Sequence, residues 1–274
     1  MSLLLALALL TSCEDFFMQE ITDFDSGFTP QLSLFALLQP KDTLVIVDVR
    51  RTIASIGGDD SDENFRRSIP DARVTISDGT TTIPLTHNRS PNGYFANSDT
   101  LPDNFIHPGG SYRIEATHEA LTASAMVAIP TDSIEREDIN FVIGQETSGG
   151  FTEVTVTADI ANLPGQEEYY VLITERSSAP DFRRRQRVLS DFLQGRANLG
   201  DRLAFKPVSL FEFNKTVIQI CATDAATYNF LNLRNTAVTN ADNPFAEPVI
   251  LPSNVENGVG HVGGLNCQFF TFRR

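Results

Sequence analysis

Short segments in which apolar and polar residues alternate recur along most of the chain. Turns that contain Gly or Pro separate them at intervals of about 10 to 15 residues, as in antiparallel sandwiches. Asp78-Gly79 is one such hairpin signal. The pattern predicts an all-β protein. The predicted strands are residues 32–37, 43–49, 72–76, 111–116, 122–129, 154–160, 169–174, 217–222 and 267–272.

The strands fall into two groups. Between residues 72 and 130, the order Ala-Arg-Val-Thr-Ile, Gly-Tyr-Phe, Pro-Gly-Gly-Ser-Tyr-Arg-Ile and Ala-Ile-Pro resembles the immunoglobulin-like module of bacterial surface proteins. We therefore predict an amino-terminal immunoglobulin-like β-sandwich over 31–130. A second domain, a β-sandwich or barrel-like fold, is predicted over 131–274. Asp224 is typical of a helix N-cap, and it predicts one short helix in this second domain.

The chain opens with eight apolar residues, 3–10, followed by Thr11-Ser12-Cys13. This run is too short to span a bilayer, which takes roughly 20 residues. A short apolar run that ends in small residues indicates an export signal, and the cysteine indicates its lipoprotein form. We predict a signal peptide over 1–12, acylation of Cys13 and a tether over 13–30. A buried strand is the alternative, and no Lys or Arg precedes the run.

The predicted tether is both acidic and aromatic. Glu14 and Asp15 follow Cys13 directly, and they resemble the signal that sends lipoproteins of the Bacteroidota to the cell surface. This resemblance implies an outer-membrane protein that faces the cell exterior. Four phenylalanines are many for a free linker, so we expect the tether to pack on the body or on a membrane partner. They are Phe16, Phe17, Phe24 and Phe28.

The charge balance narrows the range of partners. The formal net charge is −14 and the sequence pI is about 4.6. A surface of this kind argues against nucleic acid, because phosphate binding requires clustered cations. It also argues against docking on anionic lipid. High negative charge mostly favours solubility.

Two cysteines remain once Cys13 is assigned to acylation. Cys221 and Cys267 are an even pair in a chain predicted to be exported, where disulfides persist. Pairing of the strands that carry them would bring their thiols within bridging distance. Such a bridge would contribute about 4 kcal/mol in the chain-entropy model. Two separate buried thiols are the alternative.

A Pro- and Gly-rich stretch near the end of the chain, the signature segment (residues 243–264), carries the most distinctive motif. It reads Asn243-Pro244-Phe245-Ala246-Glu247-Pro248-Val249, then Ser253-Asn254-Val255-Glu256-Asn257-Gly258-Val259-Gly260, then Gly263-Gly264. This segment resembles the closing signature of domain of unknown function 4249. That family consists of Bacteroidota surface lipoproteins that are typically encoded beside TonB-dependent outer-membrane receptors.

The resemblance implies a location and a β-barrel receptor or larger membrane assembly as partner, but no reaction. Two interpretations of the signature segment remain open. It is either a tight loop over one end of the second domain, with Phe245 in the core, or a loop that faces a partner. His261 departs from the aromatic or apolar residue expected there. The candidate partner-contacting residues are Asn243, Pro244, Phe245, Glu247, Pro248, Asn254, Gly258 and Gly260.

Three triplets resemble the O-glycosylation motif of the same phylum, an acid followed by a hydroxyl residue and an apolar residue. Their hydroxyl residues, Thr43, Thr100 and Ser133, are therefore candidate glycosylation sites. Ser133 is the preferred one because it lies between the two predicted domains.

Motifs of common enzyme classes are missing from the sequence. There is no Gly-x-Ser-x-Gly elbow, no phosphate loop and no second histidine four residues after His118. We therefore expect no enzyme, no cofactor and no metal. The leading hypothesis is a non-catalytic surface lipoprotein that helps a TonB-dependent transporter to capture substrate or covers its pore. The alternatives are a structural subunit of another outer-membrane assembly and a hydrolase of surface glycan or peptide.

Overall fold

A computed structural model gives the fold. It describes residues 29–40, 44–52, 69–88, 93–97, 101–148, 151–161, 168–177, 186–195, 202–206, 208–209, 215–240, 243 and 245–273. Fifteen strands and one α-helix lie in these residues, so the predicted all-β fold with a single helix is confirmed. None of the described helices is long and apolar enough to cross a bilayer.

The described strands are numbered here in chain order, together with one 3₁₀ turn and one α-helix. In the first half they are β1 (Leu32–Leu38), β2 (Ile46–Arg51), β3 (Arg73–Ser77), β4 (Thr82–His87), β5 (Phe95–Asn97), β6 (Ser111–His118) and β7 (Leu121–Ala128). A 3₁₀ turn (Arg136–Asp138) leads to β8 (Ile139–Ser148), β9 (Phe151–Ala161), β10 (Glu168–Ser177), β11 (Gln186–Gly195), β12 (Arg202–Ala204), β13 (Val208–Ser209) and β14 (Lys215–Thr223). Helix α1 (Ala225–Asn240) and strand β15 (Gly258–Arg273) complete the fold.

Period-two alternation accounts for the strands. In β6, Tyr112, Ile114 and Ala116 are buried, whereas the residues between them are exposed. Leu32, Leu34 and Ala36 alternate in the same way in β1. Because successive side chains of a strand point to opposite faces, β1 and β6 each bury one row of apolar residues.

Two sheets are formed by the described strands. The larger sheet has the order β11-β10-β14-β15-β1-β2-β5-β4-β3-β6-β7. In the smaller one, β9 pairs with β8 on one side and with β12 and β13 on the other. Phe141 of β8 contacts Phe270 and Phe272 of β15, with ring centroids 4.7 and 5.2 Å apart. The two sheets therefore share an aromatic core.

Strand β15 joins the two halves of the chain. Its first residues run parallel to β1, with Gly260 opposite Leu34. Its later residues run antiparallel to β14, with Cys267 opposite Cys221. Val262 thus belongs to the buried cluster of the amino-terminal strands. The boundaries predicted for the two domains, 31–130 and 131–274, stay a prediction.

A buried tyrosine fixes the start of β6. The Tyr112 hydroxyl donates a hydrogen bond to the carbonyl of Phe105 at 2.6 Å and accepts one from the N–H of His107 at 3.0 Å. Burial raises the pKa of this hydroxyl, so it keeps its proton. This arrangement resembles the tyrosine corner of immunoglobulin-like sandwiches, where a tyrosine bonds to backbone a few residues upstream.

Helix α1 begins where the sequence predicts. The Asp224 Oδ1 atom accepts a hydrogen bond from the N–H of Thr227 at 2.6 Å, which is the geometry of an N-cap. Phe230 and Leu231 then bury their side chains against β10, β14 and β15, within a cluster that also holds Ile173 and Leu265. The helix is therefore anchored at its first half, whereas Val238 in its last turn is 68% exposed.

Candidate functional site

The signature segment divides into an exposed loop and the first half of β15. We call the described residues 243 and 245–252 the apolar loop, because its largest side chains are apolar and exposed. Pro244 lies outside the described residues. Gly258 and Gly260 belong to β15, so they stand apart from the apolar loop that precedes them.

A turn at Asn243 directs Phe245 into solvent. The carbonyl of Asn243 accepts a hydrogen bond from the N–H of Ala246 at 3.1 Å, and its Oδ1 accepts one from the N–H of Phe245 at 3.0 Å. An asparagine side chain that bonds to backbone two residues on stabilises a turn. Phe245 is 93% exposed. Of the two interpretations of the signature segment, the one that places Phe245 in the core is therefore wrong, because this turn points the ring away from the body.

Apolar exposure continues beyond the turn. Ile250 is 88% exposed, Leu251 is partly exposed, and Glu247 and Pro248 also lie in solvent. Exposed apolar side chains are common singly, but several on one loop are typical of an interaction surface. Sequence reasoning missed Ile250 and Leu251. The available signal was their position between prolines, where no strand alternation would bury them.

Asn254 holds the base of the apolar loop. Its Nδ2 donates to the carbonyl of Val262 at 2.8 Å, and its Oδ1 accepts from the N–H of Val262 at 2.9 Å. The Asn254 amide thus bonds to β15 as a neighbouring peptide group would. The backbone of Asn254 donates to the carbonyl of Gly260 at 3.3 Å. The loop returns to the sheet along a fixed path.

A second attachment lies two residues further on. The N–H of Glu256 donates to the carbonyl of Ser124 at 2.7 Å, and the N–H of Ser124 donates to the carbonyl of Glu256 at 3.1 Å. Val255 between these contacts is buried in the amino-terminal core. The apolar loop therefore projects from a base that is bonded to both β7 and β15.

The glycines of β15 serve close packing within the chain. Gly260 has φ +118°, and a Cβ added there would collide with the carbonyl oxygen of Leu34 in β1. A Cβ on Gly258 would lie 2.5 Å from the carbonyl oxygen of Leu32. Glycine is favoured where φ is positive or where another backbone approaches closely, and Gly260 shows both features. The approaching chain is the protein's own β1.

His261 takes the place of the apolar residue expected beside the glycines. Its ring stacks on Phe230 with centroids 4.5 Å apart, and its Nε2 lies 3.1 Å from the Thr227 Oγ1. Burial lowers the pKa of the imidazole, and the Asp224 carboxylate partly opposes this effect. His261 is therefore a neutral packing residue at pH 7 rather than an exposed ligand.

The predicted disulfide between Cys221 and Cys267 is present in the structure. The two residues stand directly opposite each other on β14 and β15, with Cα atoms 4.0 Å apart. The Sγ of Cys267 lies 3.3 Å from the Oε1 of Gln39, a buried residue that follows β1. The bridge thus fixes the larger sheet close to the point where its two halves meet.

The other three histidines each contact a different residue of the chain. His87 packs on Phe95, His107 Nδ1 lies 3.0 Å from the carbonyl of Pro108, and His118 pairs with Asp71 at 3.2 Å. Within the described ranges, no group of three or more His, Cys, Asp or Glu residues could hold a metal ion.

The predicted modification sites are only partly described. Cys13, Thr43 and Thr100 lie outside the described residues. Ser133 is half-buried in the connection between β7 and the 3₁₀ turn. The Asn266 Nδ2 donates to the carbonyls of Pro130, Thr131 and Asp132 over 3.1–3.4 Å, which holds this connection against β15. Acylation and O-glycosylation stay predictions.

Comparison with models of known protein families gives one match. The family described as "Domain of unknown function (DUF4249)" matches residues 17–268. No curated protein matches the sequence. Among solved structures, a crystal structure of a Salmonella alpha-2-macroglobulin mutant is similar at 14% identity and a TM-score of 0.24. That similarity covers 72% of this chain and 14% of the other protein, and it is too low to carry an argument.

Proposed function

This chain belongs to the DUF4249 family, and on that premise we propose that it is a non-catalytic accessory subunit of a TonB-dependent transporter. It is a lipoprotein of the outer membrane in Bacteroidota, it faces the cell exterior, and it helps to capture substrate or covers the pore. Its body acts through shape-complementary surfaces rather than covalent chemistry.

The apolar loop is the observation that carries this proposal. Phe245 and Ile250 are almost wholly exposed, and burying an aromatic anchor in a partner's pocket dominates the binding energy of many interfaces. The loop's base is hydrogen-bonded to β15 and β7, so little conformational entropy is lost when the loop docks. The loop is suited to a permanent or long-lived contact with a larger protein.

Acylation of Cys13 is what places the body beside a membrane partner. Each buried methylene contributes about 0.8 kcal/mol, and one acyl chain alone gives only marginal binding. A lipoprotein carries more than one chain, so its release from the bilayer is slow. Only the tether then separates the bilayer from β1, which keeps the apolar loop close to receptors in the same membrane.

A second candidate is a structural subunit of another outer-membrane assembly, and strand β8 favours it. Among the described strands β8 pairs only with β9, which leaves it at the edge of the smaller sheet. Val142 and Ile143 of this edge are exposed. An exposed edge can take an added strand from another chain. This candidate would use β8 in place of the apolar loop.

Extraction of native membranes in mild detergent, followed by purification of this chain, tests the proposal. We expect a β-barrel receptor in stoichiometric amount. Phe245→Ser should weaken its retention by about thirtyfold, the effect of losing an anchor that contributes about 2 kcal/mol. Met126→Ser, at an exposed apolar residue of β7, is the matched control and should retain the receptor.

Other outcomes separate the rivals. Recovery of a secretion or assembly machine that survives Phe245→Ser but is lost on Val142→Lys would support the structural subunit. Recovery of the chain alone, with cleavage of a glycan library, would support a hydrolase. A Cys13→Ala variant should leave the membrane fraction, and its retention there would contradict the lipid anchor.

A further inference from the structure

A groove runs along the last half of helix α1, on the face of the larger sheet. One wall is formed by Arg234, Asn235 and Val238 of the helix, and the opposite wall by Ile46 and Asp48 of β2. Its volume is 510 Å³. This lies within the roughly 300–1,000 Å³ range of small-molecule sites in proteins.

The floor of the groove is apolar and firmly packed. Leu37 of β1, Ile173 of β10 and Leu265 of β15 form it, and the last two are buried in the cluster beneath the helix. Val238 and Ile46 extend the apolar surface up the two walls, where both are exposed. The groove therefore offers an apolar surface that extends across the larger sheet from β10 to β2. The apolar side chains of its walls are exposed to solvent.

Arg234 is the cation among the residues that line this groove. The Arg234 guanidinium lies over the Phe35 ring at 4.9 Å from its centroid. In the described part of the chain, no carboxylate lies within 4.0 Å of that guanidinium. The Asp48 carboxylate in the opposite wall is paired with Arg50 at 2.9 Å. Of the two charged residues that line the groove, Asp48 is therefore paired, whereas Arg234 has no carboxylate partner among the described residues.

Stacking on Phe35 also orients Arg234. A guanidinium that lies over a ring keeps its in-plane N–H groups free to donate, and their fork matches a carboxylate. A cation–π contact of this kind is maintained without neutralising the charge. The groove thus combines an apolar floor with an oriented donor for an anion at one wall.

From these features we infer that the groove binds a single-chain anionic amphiphile, specifically a free fatty acid. Its carboxylate accepts hydrogen bonds from Arg234, and its alkyl chain lies on Leu37, Ile173 and Leu265 between Ile46 and Val238. A purely apolar ligand would make no use of Arg234. A second copy of this acidic chain would be repelled by charge. The inference stands on the groove alone and is independent of the proposed transporter partner.

Titration calorimetry with dodecanoate tests the inference, and dodecanol is the uncharged matched ligand. The full-length chain is used with Cys13→Ala, so that no detergent competes for the groove. We expect dodecanoate to bind at least about tenfold more tightly than dodecanol, since hydrogen bonds to charged groups are the strong ones. Arg234→Gln should remove that difference and leave dodecanol binding unchanged. Val238→Asp should weaken binding of both ligands.

Arg136→Gln is the matched control variant. Arg136 also lies over a phenylalanine ring, 4.9 Å from the centroid of Phe270, but it is not part of the groove. It should bind both ligands as the parent does. Melting temperatures check that each variant folds, and Arg234 is exposed, so its replacement should not unfold the chain.

Four results would overturn the inference. The first is binding of neither ligand, and the second is equal affinity for both. The third is binding of dodecanoate only after Phe16 and Phe17 are replaced by serine, which would make the chain's own tether the occupant. The fourth is a dimer that Val238→Asp dissociates, which would make a second copy the occupant. Failure of the receptor pull-down would leave this titration unaffected.

Discussion

Single residues of β15 determine how closely its neighbours approach. Gly260 combines a positive φ with a backbone contact to Leu34, whereas Gly79, with φ +91°, has no atom within 4 Å of an added Cβ. Substitution of Gly79 by alanine therefore measures conformational strain alone, whereas the same substitution at Gly260 measures strain together with steric overlap. Both costs can be measured as losses in the free energy of unfolding.

We expect Gly260→Ala to lower the free energy of unfolding by about 3 kcal/mol or more, because conformational strain and overpacking add. Gly79→Ala should lower it by only about 1–2 kcal/mol, because strain acts alone. Urea denaturation followed by circular dichroism measures both. Equal losses would show that β1 moves away from β15 without cost.

His261 makes stability depend on pH through its packing on Phe230. Its pKa is lowered in the folded protein, so near pH 6 the unfolded chain binds more protons than the folded one. The stability it contributes is full above the unfolded value of about 6.5 and falls as pH drops from there toward the folded pKa. Denaturation at pH 7.5 and pH 5 measures the loss. A His261→Phe variant, which keeps the ring contact, should lose less between these pH values than the parent.

At the scale of elements, β14 and β15 are joined covalently as well as by hydrogen bonds. The Cys221–Cys267 bridge spans a sequence separation of 46 residues, so the chain-entropy model gives it about 4 kcal/mol. A Cys221→Ser, Cys267→Ser double variant should lose about that amount in denaturant. Reductant should lower the stability of the parent and leave the variant unchanged. A parent that is insensitive to full reduction would contradict the entropic account.

The elements also show what sequence can predict. The alternation of Tyr112, Ile114 and Ala116 predicts β6 because the information is local, and the Asp224 cap is local in the same sense. The parallel pairing of β1 with β15 joins residues more than 200 positions apart, with Leu34 opposite Gly260, and leaves no local pattern. Pairing between strands so distant in the chain therefore cannot be predicted from local sequence patterns.

The candidate site follows the same rule. The signature segment can be recognised in the sequence because it is unusually rich in proline and glycine. Its division into an exposed loop and the first half of β15 cannot be predicted from that composition. Phe245 points outward because of the Asn243 turn, which depends on hydrogen bonds that composition cannot reveal. The groove at Arg234 is formed by α1, β1, β2, β10 and β15 together, and no single stretch of the sequence contains it.

At the scale of the whole molecule, the apolar loop and the groove are two distinct surfaces that follow each other along the chain. Helix α1 supplies a wall of the groove and ends at Asn240, and the loop begins three residues later at Asn243. Both surfaces are apolar on a strongly acidic body. The net charge of −14 keeps copies of the chain apart while these surfaces remain exposed.

The union of β1 with β15 also has a consequence for biogenesis. Strand β15 lies more than 200 residues after β1 in the chain, so it leaves the ribosome long after β1 does. Because β1 pairs with β15, the larger sheet cannot close until β15 has been synthesised. A product that ends before β15 would leave one side of β1 unpaired, and an unpaired strand edge can pair with another chain.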